Sequence, residues 1–355
     1  MSELIAGRYC VIEPIGRGGM QEVYLAHDNL LGCSVALKTP QAGQGIKRFS
    51  KSAIIAAKVN HHNVAKTLDY IEEGGKYYLI EEFVPGRTLE AVLDEFGAVD
   101  PHLGARIFLH LAKGVAASHH VEVVHRDLKP SNIIVEPGVN IHQLKITDFG
   151  IATLTKEVFD QAAKEGDMTN STSGTIRGAL PYMAPEMMFR APGDHPGKEV
   201  DIWSLGALMF RVLTGEFPFG VYLNAAVNVK TGTRAPWPRF MTVNPQYSSL
   251  AMKLQGVVEK CLELDFKARP NADDLVEELS DLCFICSDRH EGDLTNLIQN
   301  GYSGFLKGKA DGAQAFFSME SVYGGVKPSH DNRKVCYSKF PGSPHFRGHP
   351  VVVMK

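Results

Sequence analysis

The 355 residues carry no basic excess: 37 Lys and Arg stand against 40 Asp and Glu, a formal net charge of −3. That balance argues against a nucleic-acid binder, which needs spare cations to neutralise phosphates. No uncharged apolar run reaches the roughly 18 residues of a membrane span. The opening MSELIAGRYC has an acid at Glu3 and no apolar signal-peptide core. Six cysteines (Cys10, Cys33, Cys261, Cys283, Cys286 and Cys336) lack the spacing of a disulfide framework, as expected in a reducing compartment. Together these absences predict a soluble, cytoplasmic protein with neither nucleic-acid nor membrane partners. One further absence is local. Between Gln41 and Asn60 there is no acidic residue, so a cation buried against that segment finds no counter-charge in it.

What is present centres on HRDLKPSN, residues 125–132. It packs an acid (Asp127), two cations (Arg126 and Lys129) and an amide (Asn132) into eight residues. The VEVV run before it and Ile133-Ile134 after it predict a strand, a polar loop and a second short strand. Sixteen residues past Asn132 come Asp148, Phe149 and Gly150, after the strand-like LKIT. Two short strands would aim Asp127, Asn132 and Asp148 into one pocket. A lone loop aspartate commonly caps a turn, but the full set fits phosphoryl transfer. One aspartate orients an attacking hydroxyl, a lysine offsets developing charge, and an amide with a second aspartate holds Mg²⁺.

The octapeptide and DFG together resemble the catalytic loop and metal-binding loop of the protein kinases. Lys129 is the choice of serine/threonine enzymes, and the resemblance is closest to the bacterial serine/threonine branch. It implies an α+β, two-lobed kinase fold with a small, mostly β N-lobe and a larger, mostly α C-lobe. The kinase domain is expected over residues 8–285, with the N-lobe at about 8–84 and the C-lobe at about 85–285. ATP would lie between the lobes with Mg²⁺.

By that resemblance Asp127, Lys129 and Lys38 are catalytic, and Asn132 and Asp148 are metal ligands. Ile15, Gly16, Gly18, Gly19, Val23, Ala36, Lys38, Glu82 and Val84 contact ATP. The G-x-G of GRGGMQEVYLA reads as a hairpin over the phosphates, but its third glycine place holds Gln21. VALK puts Lys38 on a strand. Its family partner is a glutamate on the following helix, read here over IKRFSKSAIIAAKVNHHNV, and that place falls on Ser52. Glu81, at the end of the strand KYYLIEE, is the candidate replacement. The alternative is an exposed strand acid.

Further along, TLEAVLDEF and ARIFLHLAKGVAASHH have helical periodicity. His61, His62, His119 and His120 lack metal-ligand spacing. The stretch from 151 to 181 is rich in hydroxyls, and Ser171 and Ser173 are candidate autophosphorylation sites that Arg126 could bind once phosphorylated. GALPY places Ala179 where serine/threonine kinases have a threonine, which reopens tyrosine as an acceptor. Glu186 and Arg269 resemble the family's structural ion pair, and Asp201 its tether for the catalytic loop. Asn271 is expected to cap the last helix.

Residues 286–355 resemble nothing known, with short apolar patches (AFFSM, HPVVV) and roles open among a docking module, a substrate lure and partial disorder. Cys283 and Cys286 form a C-x-x-C without a second pair, so packed or free thiols are expected. The first functional reading is a serine/threonine kinase acting on protein substrates and self-associating to autophosphorylate. The alternatives are a tyrosine or dual-specificity kinase, or a pseudokinase scaffold that binds nucleotide or partners.

Overall fold

The computed structural model describes residues 4–17, 21–41, 53–149, 178–189, 194, 196–283, 287–298 and 301–355. The chain begins with six antiparallel strands: β1 (Leu4–Ile5), β2 (Tyr9–Arg17), β3 (Gln21–Asp28), β4 (Cys33–Pro40), β5 (Thr67–Glu73) and β6 (Lys76–Glu82). They are ordered β1-β2-β3-β4-β6-β5. Strand alternation explains how this sheet serves two purposes. Val35 and Leu37 of β4 are buried with Tyr9, Ala26 and Ile80 on one face. Ala36 and Lys38 therefore face the other way, toward the cleft.

Residues 53–56 are helical, but residues 57–63 are not, so the helix expected through Val64 ends sooner. Asn63 explains the break. Its side-chain nitrogen donates to the Leu144 carbonyl at 3.1 Å, and its own carbonyl accepts from Ile146 N–H at 2.8 Å. Ser52 lies outside the described residues.

The link to the second lobe passes Gly86 at φ 150°, where an added Cβ would stand 2.0 Å from the Val135 carbonyl oxygen. Only glycine fits so close an approach. Next come β7 (Arg87–Thr88), α1 (Leu89–Phe96) and α2 (Pro101–His120), then β8 (Ile133–Val135) and β9 (Leu144–Ile146), which join β7 in a three-stranded sheet. Five more α-helices follow: α3 (Pro185–Met188), α4 (Glu199–Thr214), α5 (Tyr222–Thr231), α6 (Phe240–Val243) and α7 (Pro245–Cys261), with α8 (Ala272–Ser280) closing the lobe. In α4 every residue but Glu199 and Arg211 is buried, as its all-round apolar sequence requires. Asn271 caps α8 in a reciprocal capping box with Asp274.

The VEVV run is not a strand. Val121 and Val123 both return their N–H groups to the Ser118 carbonyl at the end of α2, and Glu122 turns at φ 58°. Just past the run, the amides of His125 and Arg126 go to the Asp201 carboxylate at 2.8 and 2.7 Å. With the Val121, Glu122 and Val123 donors all spent on the end of α2, the run forms no ladder.

Residues beyond the helical lobe form a β module. Its strands are β10 (Arg289–Leu297), β11 (Ser303–Gly308), β12 (Gln314–Ser318), β13 (Val322–Tyr323), β14 (Lys334–Phe340) and β15 (Phe346–Val353). β10, β11 and β12 form a meander, β14 pairs with β10, and β15 pairs with β14 on one side and β12 on the other. That closes a five-stranded barrel, with β13 added as a short edge on β15. AFFSM and HPVVV are its strands β12 and β15. Leu294, Leu306, Phe317, Val335, Tyr337 and Val351 fill its interior. Tyr323, Cys336, Val352 and Met354 face outward and join the core of the helical lobe. Cys336 and Cys261 are buried free thiols and Cys283 is half-buried, while Cys286 lies outside the described residues.

Candidate active site

The site is built on two short strands. Ile133 of β8 pairs with Ile146 of β9, so the loop before β8 and the loop after β9 emerge side by side. Thr147 N–H then donates to the Asn132 carbonyl at 2.8 Å, fastening one loop to the other. His125 makes a second tie. It accepts from Asp127 N–H through Nδ1 at 3.2 Å, and its Nε2 lies 2.9 Å from the Thr147 carbonyl, so the proton is assigned to Nε2. Its ring stands edge-on to Phe149 with centroids 4.5 Å apart.

Within the first loop Lys129 Nζ lies 2.9 Å from Asp127 Oδ2. Asn132 donates its amide N–H groups to the Asp127 carbonyl at 2.8 Å and to Asp127 Oδ2 at 3.0 Å. With both donors turned onto Asp127, Asn132 has its carbonyl oxygen left as an acceptor. Arg126 and Asp148 both sit at positive φ, 63° and 65°. Non-glycine residues hold that conformation at a cost of about 1–3 kcal/mol, and such outliers cluster at functional sites.

From the β lobe Lys38 reaches into the same space. In the sheet register Ala36 stands opposite Glu81, so Lys38, two residues on, is a diagonal neighbour of Glu81 on the same face. Lys38 Nζ lies 2.5 Å from Glu81 Oε2 and 2.7 Å from Asp148 Oδ1. Glu81 is 3% exposed and Lys38 5%, so Glu81 is no exposed strand acid. Burial opposes the Lys38 charge, yet the charges of Asp148 and Glu81 outweigh it and raise the ammonium's pKa. One cation faces two acids, and the acids diverge. Burial raises the pKa of Glu81 despite Lys38 beside it. Asp148 is lowered: burial pushes it up, but the charge and hydrogen bond of Lys38 and a hydrogen bond from Gln21 prevail.

Lys38, Glu81, Asp127, Lys129, Asn132 and Asp148 all line one cleft of about 490 Å³, within the usual range for small-molecule sites. Ile15, Gly16, Val23 and Ala36 form its roof, and Glu82, Phe83 and Val84 its back edge. Glu82 also bonds Lys145 Nζ at 3.0 Å, which ties the inter-lobe link to β9. Gly18, Gly19, Ser171 and Ser173 lie outside the described residues.

Among the lining residues, Ile134, Thr147 and Tyr182 have no role of their own from the sequence, although each lies in or beside one of its motifs. The Gln21 contact with Asp148 was missed as well. The sole signal was an amide side chain in a glycine's place.

Away from the cleft, Arg269 makes a two-pronged bond to Glu186 at 2.6 and 3.0 Å and donates to the Glu199 and Glu263 carbonyls. Asp201, fully buried, accepts from two loop amides and lies 2.9 Å from His119 Nε2. Burial raises its pKa, but the His119 hydrogen bond leads the contacts that bring it below the ordinary value. Ala179 is buried and brings no hydroxyl to Asp127 and Lys129. Among the described residues no three His, Cys, Asp or Glu side chains gather as metal ligands, and no helix is long and apolar enough to cross a membrane.

Comparison with known proteins gives concordant matches. The family described as "Protein kinase domain" matches residues 9–279. Serine/threonine-protein kinase PrkC of Bacillus subtilis is 32% identical over 281 residues, covering 78% of this chain and 40% of that protein. Serine/threonine-protein kinase pkn2 of Myxococcus xanthus is 33% identical over 290 residues, 79% of this chain and 32% of that one. The probable serine/threonine-protein kinase PknB of Lactococcus lactis is 30% identical over 275 residues, 76% and 41% respectively. The chain therefore spans well under half the length of these relatives.

Proposed function

We propose, from the premise that this chain belongs to the protein kinase domain family, that it transfers the γ-phosphoryl group of ATP to serine and threonine hydroxyls of proteins. The observation that carries the reading is the convergence of Lys38, Asp127, Asn132 and Asp148 on one cleft. Lys38 would hold the nucleotide phosphates, with Glu81 in place of the family's helix glutamate. Ile15, Gly16, Gly18, Gly19, Val23, Ala36, Glu82 and Val84 would enclose the nucleotide.

The donor set suits Mg²⁺, which favours one or two protein oxygens plus phosphate and water over an all-protein cage. Asp148 and the carbonyl oxygen of Asn132 are the oxygens for it. When bound, Mg²⁺ would neutralise charge on the phosphates. Asp127, held by Lys129 and Asn132, would orient the acceptor hydroxyl and take its proton, and Lys129 would offset charge beside it. Glu186, Asp201 and Arg269 would shape the substrate loop and the catalytic loop.

A second reading rests on Ala179. Without a hydroxyl there, tyrosine or dual specificity and a nucleotide-binding pseudokinase stay open as alternatives.

One experiment separates these readings. The protein is incubated with γ-labelled ATP and Mg²⁺ beside Asp127→Asn, with phosphoamino-acid analysis and mapping of the label. Wild type should carry phosphoserine and phosphothreonine, some of it on Ser171 or Ser173, while Asp127→Asn falls at least a hundredfold. Phosphotyrosine alone would move the acceptor class. Wild type that binds nucleotide yet stays unlabelled would leave the scaffold.

A further inference from the structure

We infer that Gln21 is a positioning residue for Asp148, holding one carboxylate oxygen so that the other is presented to the divalent cation of the nucleotide. The inference rests on the kinase reading above and assigns a task to a residue that this reading does not use. Gln21 opens β3, two residues before Val23, and Val23 stands opposite Lys38 in the sheet. The two-residue period of a strand puts Gln21 and Val23 on one face, so Gln21 and Lys38 project from the same side of the β lobe. Both end on a single atom. Gln21 Nε2 donates to Asp148 Oδ1 at 2.8 Å, and Lys38 Nζ donates to it at 2.7 Å.

Two features separate this contact from ordinary packing. Gln21 is 8% exposed although it is the first residue of its strand, so its amide is committed to the interior. A buried amide of this kind needs its hydrogen bonds met. Asp148, for its part, sits at φ 65°, a conformation that persists only when neighbours enforce it. Two donors converging from different strands fix the rotation of the carboxylate, which a single donor cannot do. Lys38 supplies charge, whereas Gln21 supplies direction without adding charge. Glycine in that place could do neither.

The expected consequence is a change in metal dependence without a matching change in nucleotide affinity. A fluorescent ATP analogue is titrated into the full chain in EDTA and across a series of Mg²⁺ concentrations, for wild type, Gln21→Leu and Gln21→Gly. Losing one hydrogen bond to a charged group should raise the Mg²⁺ concentration for half of the metal-dependent response roughly tenfold in Gln21→Leu. Its affinity for the analogue in EDTA should stay within twofold of wild type.

Gln21→Gly carries the residue common to the family and serves as the second variant should the leucine disturb folding, as judged by melting temperature. It should show the same shift. An unchanged Mg²⁺ midpoint in both variants overturns the proposal, as does an equal loss of affinity in EDTA and Mg²⁺. Wild type that binds no analogue in either buffer would remove the kinase reading, and this proposal with it.

Discussion

Glu81 shows how a two-residue offset in a sheet can bring a carboxylate to a buried ammonium. Opposite Ala36 and diagonal to Lys38, it gives the buried ammonium a carboxylate at 2.5 Å that the acid-free stretch before Asn60 cannot give. Glu81→Gln keeps the shape and removes the charge, leaving Asp148 as the one carboxylate on Lys38 among the described residues. Catalytic efficiency toward ATP should then fall on the order of tenfold or more, the worth of a charge-assisted bond. Steady-state kinetics with varied ATP would read it, and an unchanged value would show that Asp148 suffices alone. Lys38, Asp127, Asn132 and Asp148 were legible in the sequence because motif neighbours identify them. Glu81 was legible only through a count along one strand. The Gln21 contact was not, because its two ends lie 127 residues apart and only folding brings them together.

At the scale of elements, the short strands β8 and β9 and the helices α1, α2, α4 and α8 follow from periodicity, capping and flanking turns. VEVV reads as a strand for the same reason and is not one, because apolar alternation cannot reveal that the end of α2 takes three of its four backbone amides. The central helix α2 also carries a pH response. Burial, assisted by the nearby charges of Lys113, His62 and Arg106, pulls His110 down to about 4 from its ordinary 6.5. The unfolded chain therefore takes up this proton first. The stability is present above pH 6.5 and is lost as pH falls toward 4, on the order of 1–2 kcal/mol once partial exposure is discounted. His110→Gln should shrink the drop in melting temperature between pH 7 and pH 5. An equal drop in both proteins would place the response elsewhere.

Across the whole molecule the β module is bound to the helical lobe by more than apolar contact. Arg289 of β10 lies 2.9 Å from Asp100, the residue that caps α2, and both side chains are nearly inaccessible. Tyr323 donates to the Leu213 carbonyl at 2.9 Å while its ring meets Tyr247 and Phe240 edge-on. Arg289→Met would leave Asp100 buried without its cation, at a cost of about 3 kcal/mol. Urea unfolding should register that loss as one cooperative shift of the midpoint. A separate early transition of the module would mean that the two parts unfold independently. None of this docking was legible beforehand. A barrel whose strands alternate between its own interior and a neighbour's core loses the polar-outside pattern from which a strand is ordinarily read.

The pairing of Lys38 with Glu81 has a last consequence. In kinases whose lysine is matched by a helix, moving that helix withdraws the counter-charge and disarms the site. Here both partners belong to neighbouring strands of one hydrogen-bonded sheet, offset by two residues in register. Neither partner of the pair is carried by a helix. The two lobes meet at Asp148, where donors from one lobe grip a carboxylate of the other.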